Sequence, residues 1–208
     1  MKAILYDWGG FNVWLFHLIN DVHSALLDRT MQLGTAIGDH VHFPLYMAML
    51  CATAVIVVGR SRKQDGMTWI LAIGVVASAY NMDGWFLGWI KPYLDFPRPL
   101  LALPSGTVHA VGEIQLHHSL PSGHSSFVML CAASIWPLLN KPGRYLAAIV
   151  VFWVGVSRIS LGDHFPADVL AGYLSSLLIV LAVRAFLQRL IRSDRRTDLH
   201  NSVTTPQI

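Results

Sequence analysis

Charged residues are scarce in this 208-residue chain: Asp, Glu, Lys and Arg together form 13% of it, whereas apolar residues form 54%. Soluble globular domains carry about 25% charged residues, so the chain has about half of the charge that a water-exposed surface needs. Cysteine is also scarce, since Cys51 and Cys131 are the only two and each lies inside an apolar run. These shortages exclude a disulfide scaffold and a disordered chain, and they argue against a soluble enzyme.

Long apolar runs take the place of the missing charge. Five of them approach the ~20 residues that a helix needs to cross a bilayer. They are Val41–Val58, Met67–Ile90, Ser122–Leu139, Tyr145–Ile159 and Val169–Ile191. We therefore expect an all-α fold, a polytopic membrane helix bundle with five transmembrane helices. A single membrane-embedded domain would cover residues 1–193, and residues 194–208 would form a polar cytoplasmic tail.

The N-terminal stretch differs from these runs. Phe11–Met31 mixes apolar and polar residues at roughly helical spacing. This pattern is typical of amphipathic helices that lie at the membrane interface or pack on a bundle. We expect one or two amphipathic helices here, with a sixth span as the alternative.

Basic residues exceed acidic ones, which gives a formal net charge of +3. They gather after the first, third and fifth apolar runs, at Arg60–Lys63, Lys141–Arg144 and Arg189–Arg196. In a chain that crosses alternately, these three segments lie on one side, and the positive-inside rule assigns that side to the cytoplasm. The charge excess therefore indicates orientation and not nucleic-acid binding. Residues 91–120 and 157–166 would lie on the opposite face.

The first polar segment on that opposite face runs from Lys91 to Pro99. It contains Lys91, Arg98 and three prolines, and it begins where the second apolar run ends. The lysine is a point charge and the guanidinium can hold two oxygens at once, so the pair suits a dianion. The prolines stiffen the loop between the two cations.

Pro121-Ser122-Gly123-His124 forms the second segment, at the start of the third run. Proline suits the beginning of a helix, and glycine lets a ligand approach the backbone closely. The free N–H groups of a first helical turn can cradle phosphate oxygens. His124 beside them could exchange a proton near neutral pH.

The third segment is Ser157-Arg158 followed by His164 and Asp168. The four-residue spacing would let the Asp168 carboxylate reach one imidazole nitrogen of His164 and free the other as a nucleophile or base. Arg158 adds a third cation. Three fixed cations repel one another, which favours a multiply charged anion such as phosphate as their ligand. One histidine would attack phosphorus and the other would protonate the leaving oxygen, without a metal.

These three segments resemble the three-part signature of the type 2 phosphatidic acid phosphatase superfamily. The matching residues are Lys91, Arg98 and Pro99, then Pro121–His124, then Ser157, Arg158, His164 and Asp168. The resemblance implies that His164 is a nucleophile that forms a phosphohistidine, that Asp168 orients it and that His124 is the general acid. It also implies a phosphate-binding set of Lys91, Arg98, Ser122, Gly123 and Arg158. No cofactor is implied.

The small size and the span layout resemble bacterial lipid phosphatases, with undecaprenyl diphosphate as the favoured substrate. Phosphatidylglycerophosphate, phosphatidic acid and lipid A phosphates are the alternatives, with either water or another acceptor. The resemblance implies a multi-pass protein of the bacterial inner membrane whose active site faces the periplasm. Its partners would be a lipid phosphate and the bilayer, with no nucleic acid.

Two other functions compete with this interpretation. His117, His118 and His124 could suggest a metal site, but no thiolate or nearby carboxylate completes a ligand set in the sequence, so no metal is predicted. An anion transporter would also place cations at the mouth of a bundle. It would need charged groups along the membrane path, where the sequence offers Asp83 beside Asn81. Asp83 would be either a floor group of the pocket or a carboxylate bonded to neighbouring hydroxyls.

Overall fold

The computed structural model describes residues 6–60 and 66–204, with side chains as far as residue 193. Its helices are α1 (Phe11–Asn20), α2 (Ala25–Ile37), α3 (Phe43–Arg60), α4 (Gly66–Leu94), α5 (Pro99–Ala102), α6 (Gly123–Ile135), α7 (Lys141–Ser160) and α8 (Pro166–Thr204). No strand occurs in the described ranges, so the predicted all-α polytopic fold is confirmed. Residues 61–63 of the first basic segment and the side chains of Arg195 and Arg196 lie outside the described residues.

Four described helices are long and apolar enough to cross a membrane, and they correspond to four of the five predicted spans. They are His40–Arg60, Gly66–Ala102, Lys141–Ser160 and Pro166–Ser193. The predicted third span differs, because α6 has 13 residues and a 3-10 turn, Trp136–Leu138, follows it. Pro137 in that turn has no N–H to continue an α-helix. Since α6 packs against α4, α7 and α8, protein and not lipid surrounds it, and it need not match the bilayer thickness.

The Phe11–Met31 stretch forms helix α1 and the first part of helix α2, with a break in the helix between them. Helices α1 and α2 have 10 and 13 residues. Asn12, Phe16 and Asn20 are buried at four-residue spacing along α1, which packs against α7 and α8. Ser24 begins α2 by accepting a hydrogen bond from the N–H of Leu27. Helix α1 is thus part of the bundle.

Two glycines allow the close approaches that assemble one end of the bundle. A Cβ on Gly172 of α8 would lie 2.5 Å from the carbonyl oxygen of Ser122, so glycine lets α8 pack against the start of α6. Gly162, in the turn between α7 and α8, has a φ of +78°, and its Cβ would lie 2.5 Å from the carbonyl oxygen of His109. The end of α7 and the starts of α6 and α8 consequently meet. Helix α8 continues past residue 193, and the division into domain and tail stays a prediction.

Candidate active site

His164 lies in the turn between α7 and α8 with 1% of its surface exposed. Its Nδ1 is 3.4 Å from Oδ2 of Asp168 in the first turn of α8. Ser119 joins the two: its hydroxyl donates to Asp168 Oδ2 at 2.6 Å, and its oxygen lies 3.3 Å from His164 Nδ1. Because the single hydroxyl proton points to Asp168, the Ser119 oxygen can only accept from the imidazole. The proton of the neutral ring therefore lies on Nδ1, and Nε2 keeps a free lone pair.

The charge state of His164 suits a nucleophile. Burial, followed by the positive charges of Arg98, Arg158 and Lys91, lowers the pKa of His164 well below its usual value. Both effects oppose protonation, since each disfavours an additional buried cation. The imidazole is accordingly neutral at pH 7.

Asp168 is held by two further donors. The hydroxyl of Tyr6 donates to Oδ1 at 2.9 Å, and the backbone N–H of Phe165 donates to Oδ2 at 2.8 Å. Burial and the adjacent carboxylate raise the pKa of Tyr6, which keeps its hydroxyl protonated as a donor. The sequence pattern predicted the His164–Asp168 pair but neither Ser119 nor Tyr6.

Arg98 and Arg158 converge on one carboxylate that the sequence analysis missed, that of Asp163. Arg98 Nη1 lies 3.6 Å from Asp163 Oδ1, and Arg158 Nη2 lies 3.0 Å from Asp163 Oδ2. The two arginines are only 6% and 7% exposed. Burial raises the pKa of Asp163, while the guanidinium groups of Arg158 and Arg98 oppose that rise. The signal for Asp163 was its position beside His164 and five residues after Arg158.

Further contacts fix the direction of both guanidinium groups. Arg98 donates through Nε to the carbonyl oxygen of His117 at 3.2 Å and through Nη2 to Gln115 Oε1 at 2.6 Å. Arg158 donates through Nη1 to Thr35 Oγ1 at 2.6 Å. Its Nε is buried and has no hydrogen-bond partner among the described residues. The burial of this donor without a partner is costly.

Lys91 and His40 flank the start of α6. Lys91 Nζ and His40 Cε1 lie 3.9 and 3.6 Å from the point where a Cβ on Gly123 would stand. The imidazole centroids of His40 and His124 are 6.4 Å apart. The first turn of α6, which carries His124, thus faces a lysine and the imidazole of His40, and His40 was not predicted.

Ser122 contributes to the junction of α6 and α8. Its side chain is fully buried, and its Oγ accepts a hydrogen bond from Ser125 at 3.0 Å. Its N–H donates to the carbonyl oxygen of Asp168 at 2.9 Å. These contacts hold the second and third signature segments together, and the predicted contact of Ser122 with phosphate stays a prediction.

The side chains of the other candidates contact groups outside the His164–Asp168 pair. Ser126 donates to Asp83 Oδ1 at 2.6 Å, so the described contact of the Asp83 carboxylate is a neighbouring hydroxyl. His117 and His118 both lie against Asp95 on the exposed rim. His109 instead contacts Asp28 of α2.

Long apolar helices that end at buried cations around a neutral imidazole define a multi-pass membrane protein with a site suited to an oxyanion. The family model of the PAP2 superfamily matches residues 66–192, more than half of the chain. The chain belongs to this superfamily, the one that the three motifs predicted. It is therefore a multi-pass membrane protein of a lipid phosphatase family.

Relatives and solved structures agree with this assignment. A protein of Sulfolobus acidocaldarius named undecaprenyl-diphosphatase is 28% identical over 167 residues, which cover 79% of this chain and 73% of the relative. The crystal structure of Aquifex aeolicus LpxE has a TM-score of 0.66 at 23% identity, with 83% of this chain and 94% of that chain covered. A PAP2-type phosphatidylglycerolphosphate phosphatase from Bacillus subtilis has a TM-score of 0.67 at 20% identity, with 88% of each chain covered. The two structures show that the fold is shared.

Proposed function

We propose that this chain removes the terminal phosphate from a lipid phosphate or diphosphate, with undecaprenyl diphosphate as the favoured substrate. The observation that carries the proposal is the neutral, buried His164 beside the Arg98–Asp163–Arg158 cluster. A nucleophile and fixed cations in one site lower the barrier to phosphoryl transfer by positioning and by charge stabilisation. The similarity to the relative named undecaprenyl-diphosphatase supports the choice of substrate.

In the proposed reaction, Nε2 of His164 attacks phosphorus and the bond from phosphorus to the leaving oxygen breaks. His124 donates a proton to that oxygen, and a phosphohistidine remains. Water then attacks the phosphohistidine, His124 accepts its proton, and the electrons of the phosphorus–nitrogen bond return to Nε2. Inorganic phosphate leaves. The phosphate oxygens are bound by Lys91, Arg98, Ser122, Gly123 and Arg158.

The charge distribution of the bundle supports a site that faces away from the cytoplasm. The predicted site residues gather where α4 and α7 end and where α6 and α8 begin. Arg60 at the end of α3, Lys141 at the start of α7 and Arg189 late in α8 lie toward the opposite end. The positive-inside rule assigns that opposite end to the cytoplasm. We propose the inner membrane of a bacterium, with the site on the periplasmic side.

An apolar groove supports a lipid as substrate. It has a volume of about 590 Å³, lies between α3, α4 and α6, and extends from Phe43 to Leu139. Just before Phe43, His40 stacks on Phe127 with ring centroids 4.8 Å apart, and His40 is the neighbour of His124. Burial of a hydrocarbon chain in such a groove contributes about 0.8 kcal/mol per CH₂. The groove therefore offers a path for a lipid tail beside the site.

Phosphate release by the purified protein in detergent tests the proposal. The substrates are undecaprenyl diphosphate, phosphatidylglycerophosphate, phosphatidic acid and lipid A, with and without exhaustive chelation. We expect the fastest release from undecaprenyl diphosphate, unaffected by chelation, and none from H164N. The matched control is H17N, because His17 lies at the surface of α1 away from the cations. Equal activity of H164N and H17N would contradict the assigned nucleophile, and activity that chelation removes and zinc restores would contradict a reaction without a metal.

A further inference from the structure

The N-terminal segment from Tyr6 to Asn20 contacts the catalytic turn, residues 159–168, at three points. Tyr6 donates to Asp168 Oδ1 at 2.9 Å. Asn12 Oδ1 accepts a hydrogen bond from the N–H of Ala167 at 3.0 Å, and Asn20 Nδ2 donates to the carbonyl oxygen of Ser160 at 2.9 Å. The family model begins at residue 66, so this segment lies before the matched region.

Burial makes the two asparagine contacts informative. Asn12 and Asn20 are 1% and 0% exposed on the inner face of α1. A buried amide costs free energy unless it is hydrogen-bonded, and an apolar residue would pack there without that requirement. Asn20 also bonds the backbone of His109, as donor to its carbonyl oxygen and acceptor from its N–H. Helix α1 therefore binds specific backbone groups of the site loops in addition to packing on them.

Tyr6 completes the hydrogen bonding of the Asp168 carboxylate. Oδ2 is occupied by Ser119 and by the N–H of Phe165, whereas Oδ1 accepts from Tyr6. The terminal torsion of an aspartate is broad, so a donor on each oxygen restricts its rotation. The Tyr6 ring is itself held, with its centroid 4.4 Å from that of Phe96 and 6.0 Å from that of Phe165. Packing thus fixes the position of the hydroxyl.

We propose that Tyr6 is a positioning residue for catalysis, which holds Asp168, and through it Ser119 and His164, in the orientation that leaves His164 Nε2 free. Asn12 and Asn20 anchor the segment that carries Tyr6 to the catalytic turn. This inference rests on the proposed function, because it needs His164 to react. The positioning machinery then extends beyond the part of the chain that defines the family.

The test is the Y6F variant, which keeps the ring and its contacts with Phe96 and Phe165 and removes only the hydroxyl. We expect kcat to fall about tenfold, which corresponds to about 1.4 kcal/mol. KM should stay unchanged, because Tyr6 touches Asp168 and not the phosphate-binding cations. The readouts are kcat and KM with the lipid phosphate that the wild type hydrolyses fastest, together with the thermal unfolding temperature.

Y173F is the matched control, because the Tyr173 hydroxyl donates to the carbonyl oxygen of Val151, away from the catalytic turn. We expect Y173F to lower the unfolding temperature and to keep kcat. If Y6F stays within twofold of the wild-type kcat, or if Y173F lowers kcat as much as Y6F does, the inference is wrong. An active H164N would instead overturn the proposed function, so the two failures are distinguishable.

Discussion

Asp163 offers the sharpest test of how the site binds an oxyanion, because its carboxylate contacts both Arg98 and Arg158. The D163N substitution removes one negative charge and keeps nearly the same size. The amide oxygen can still accept a hydrogen bond from Arg158 Nη2. The variant therefore isolates the effect of the charge.

The structure allows the size of the effect to be worked out. A unit charge about 6 Å from a bound phosphate changes its energy by about 3 kcal/mol per phosphate charge at an effective dielectric of about 20, and by less than about 1 kcal/mol in water. The effect doubles for a dianion, so loss of the Asp163 charge should tighten the binding of inorganic phosphate by about tenfold at the least. The unliganded protein should lose about 3 kcal/mol of stability, the low end for a broken buried ion pair. The low end applies because Gln115 and Thr35 still bond the two arginines.

Two measurements check this prediction on the purified protein. We expect the inhibition constant for inorganic phosphate to fall at least tenfold in D163N, and kcat to fall because product leaves more slowly. In thermal unfolding, D163N should be less stable than wild type without phosphate and should gain more from added phosphate, since a ligand that binds only the folded state stabilises it. D95N is the matched control, because Asp95 lies on the rim with its side chain 51% exposed.

The pH dependence independently checks the predicted direction of the change in phosphate affinity. Burial raises the pKa of Asp163, so the wild-type carboxyl becomes neutral as the pH falls through that value. Wild type and D163N should then converge in their affinity for phosphate at low pH and differ at high pH. Equal inhibition constants for D163N and D95N at pH 8 would refute the reasoning.

Three other predictions follow from the site, the pH and the groove. H124Q should lower kcat about a hundredfold for a lipid monoester and much less for p-nitrophenyl phosphate, because the leaving oxygen of the latter needs little help from a general acid. Equal losses of kcat on both substrates would contradict the role of His124 as general acid. Burial lowers the pKa of His164, so below pH ~6.5 this residue binds a proton in the unfolded chain but stays neutral in the folded protein. The free energy of unfolding should therefore fall on acidification by about 1.4 kcal/mol per pH unit. H164N should reduce this slope in unfolding measurements between pH 5 and 6.5, and an unchanged slope would mean that His164 is protonated when folded. T53W, which fills the groove, should lower kcat/KM about tenfold for a long-chain lipid phosphate but not for a soluble monoester.

The sequence was sufficient for the parts of the site that follow a fixed local spacing. Lys91 and Arg98 end one apolar run, and His164 and Asp168 are one helical turn apart, so their side chains could be assigned from the chain alone. The apolar runs likewise predicted five spans, four of which correspond to helices long and apolar enough to cross a membrane. The apolar composition did not reveal that α6 is short, because a helix that packs mainly against protein is as apolar as one that crosses lipid.

Residues that act across long sequence separations could not be predicted in this way. Tyr6 is 162 residues from Asp168, and Ser119 is 45 residues from His164, so no periodic pattern relates them. Asp163 is a different case, since it is adjacent to His164 in the sequence. The question of what neutralises three cations would have identified it.

Asp163 also limits the charge repulsion among the three cations of the site. Three cations without a ligand would be costly if they stood alone, but Asp163 pairs with two of them and the buried arginines bond to neighbouring oxygens. Lys91, Arg98 and Arg158 together with the carboxylates of Asp163 and Asp168 leave one net positive charge, which favours an anion. Asp168 is bound by its own donors, which are Tyr6, Ser119 and the N–H of Phe165. The resting site is thus partly neutralised without an anion and still favours one, because Lys91 adds a positive charge that Asp163 does not neutralise.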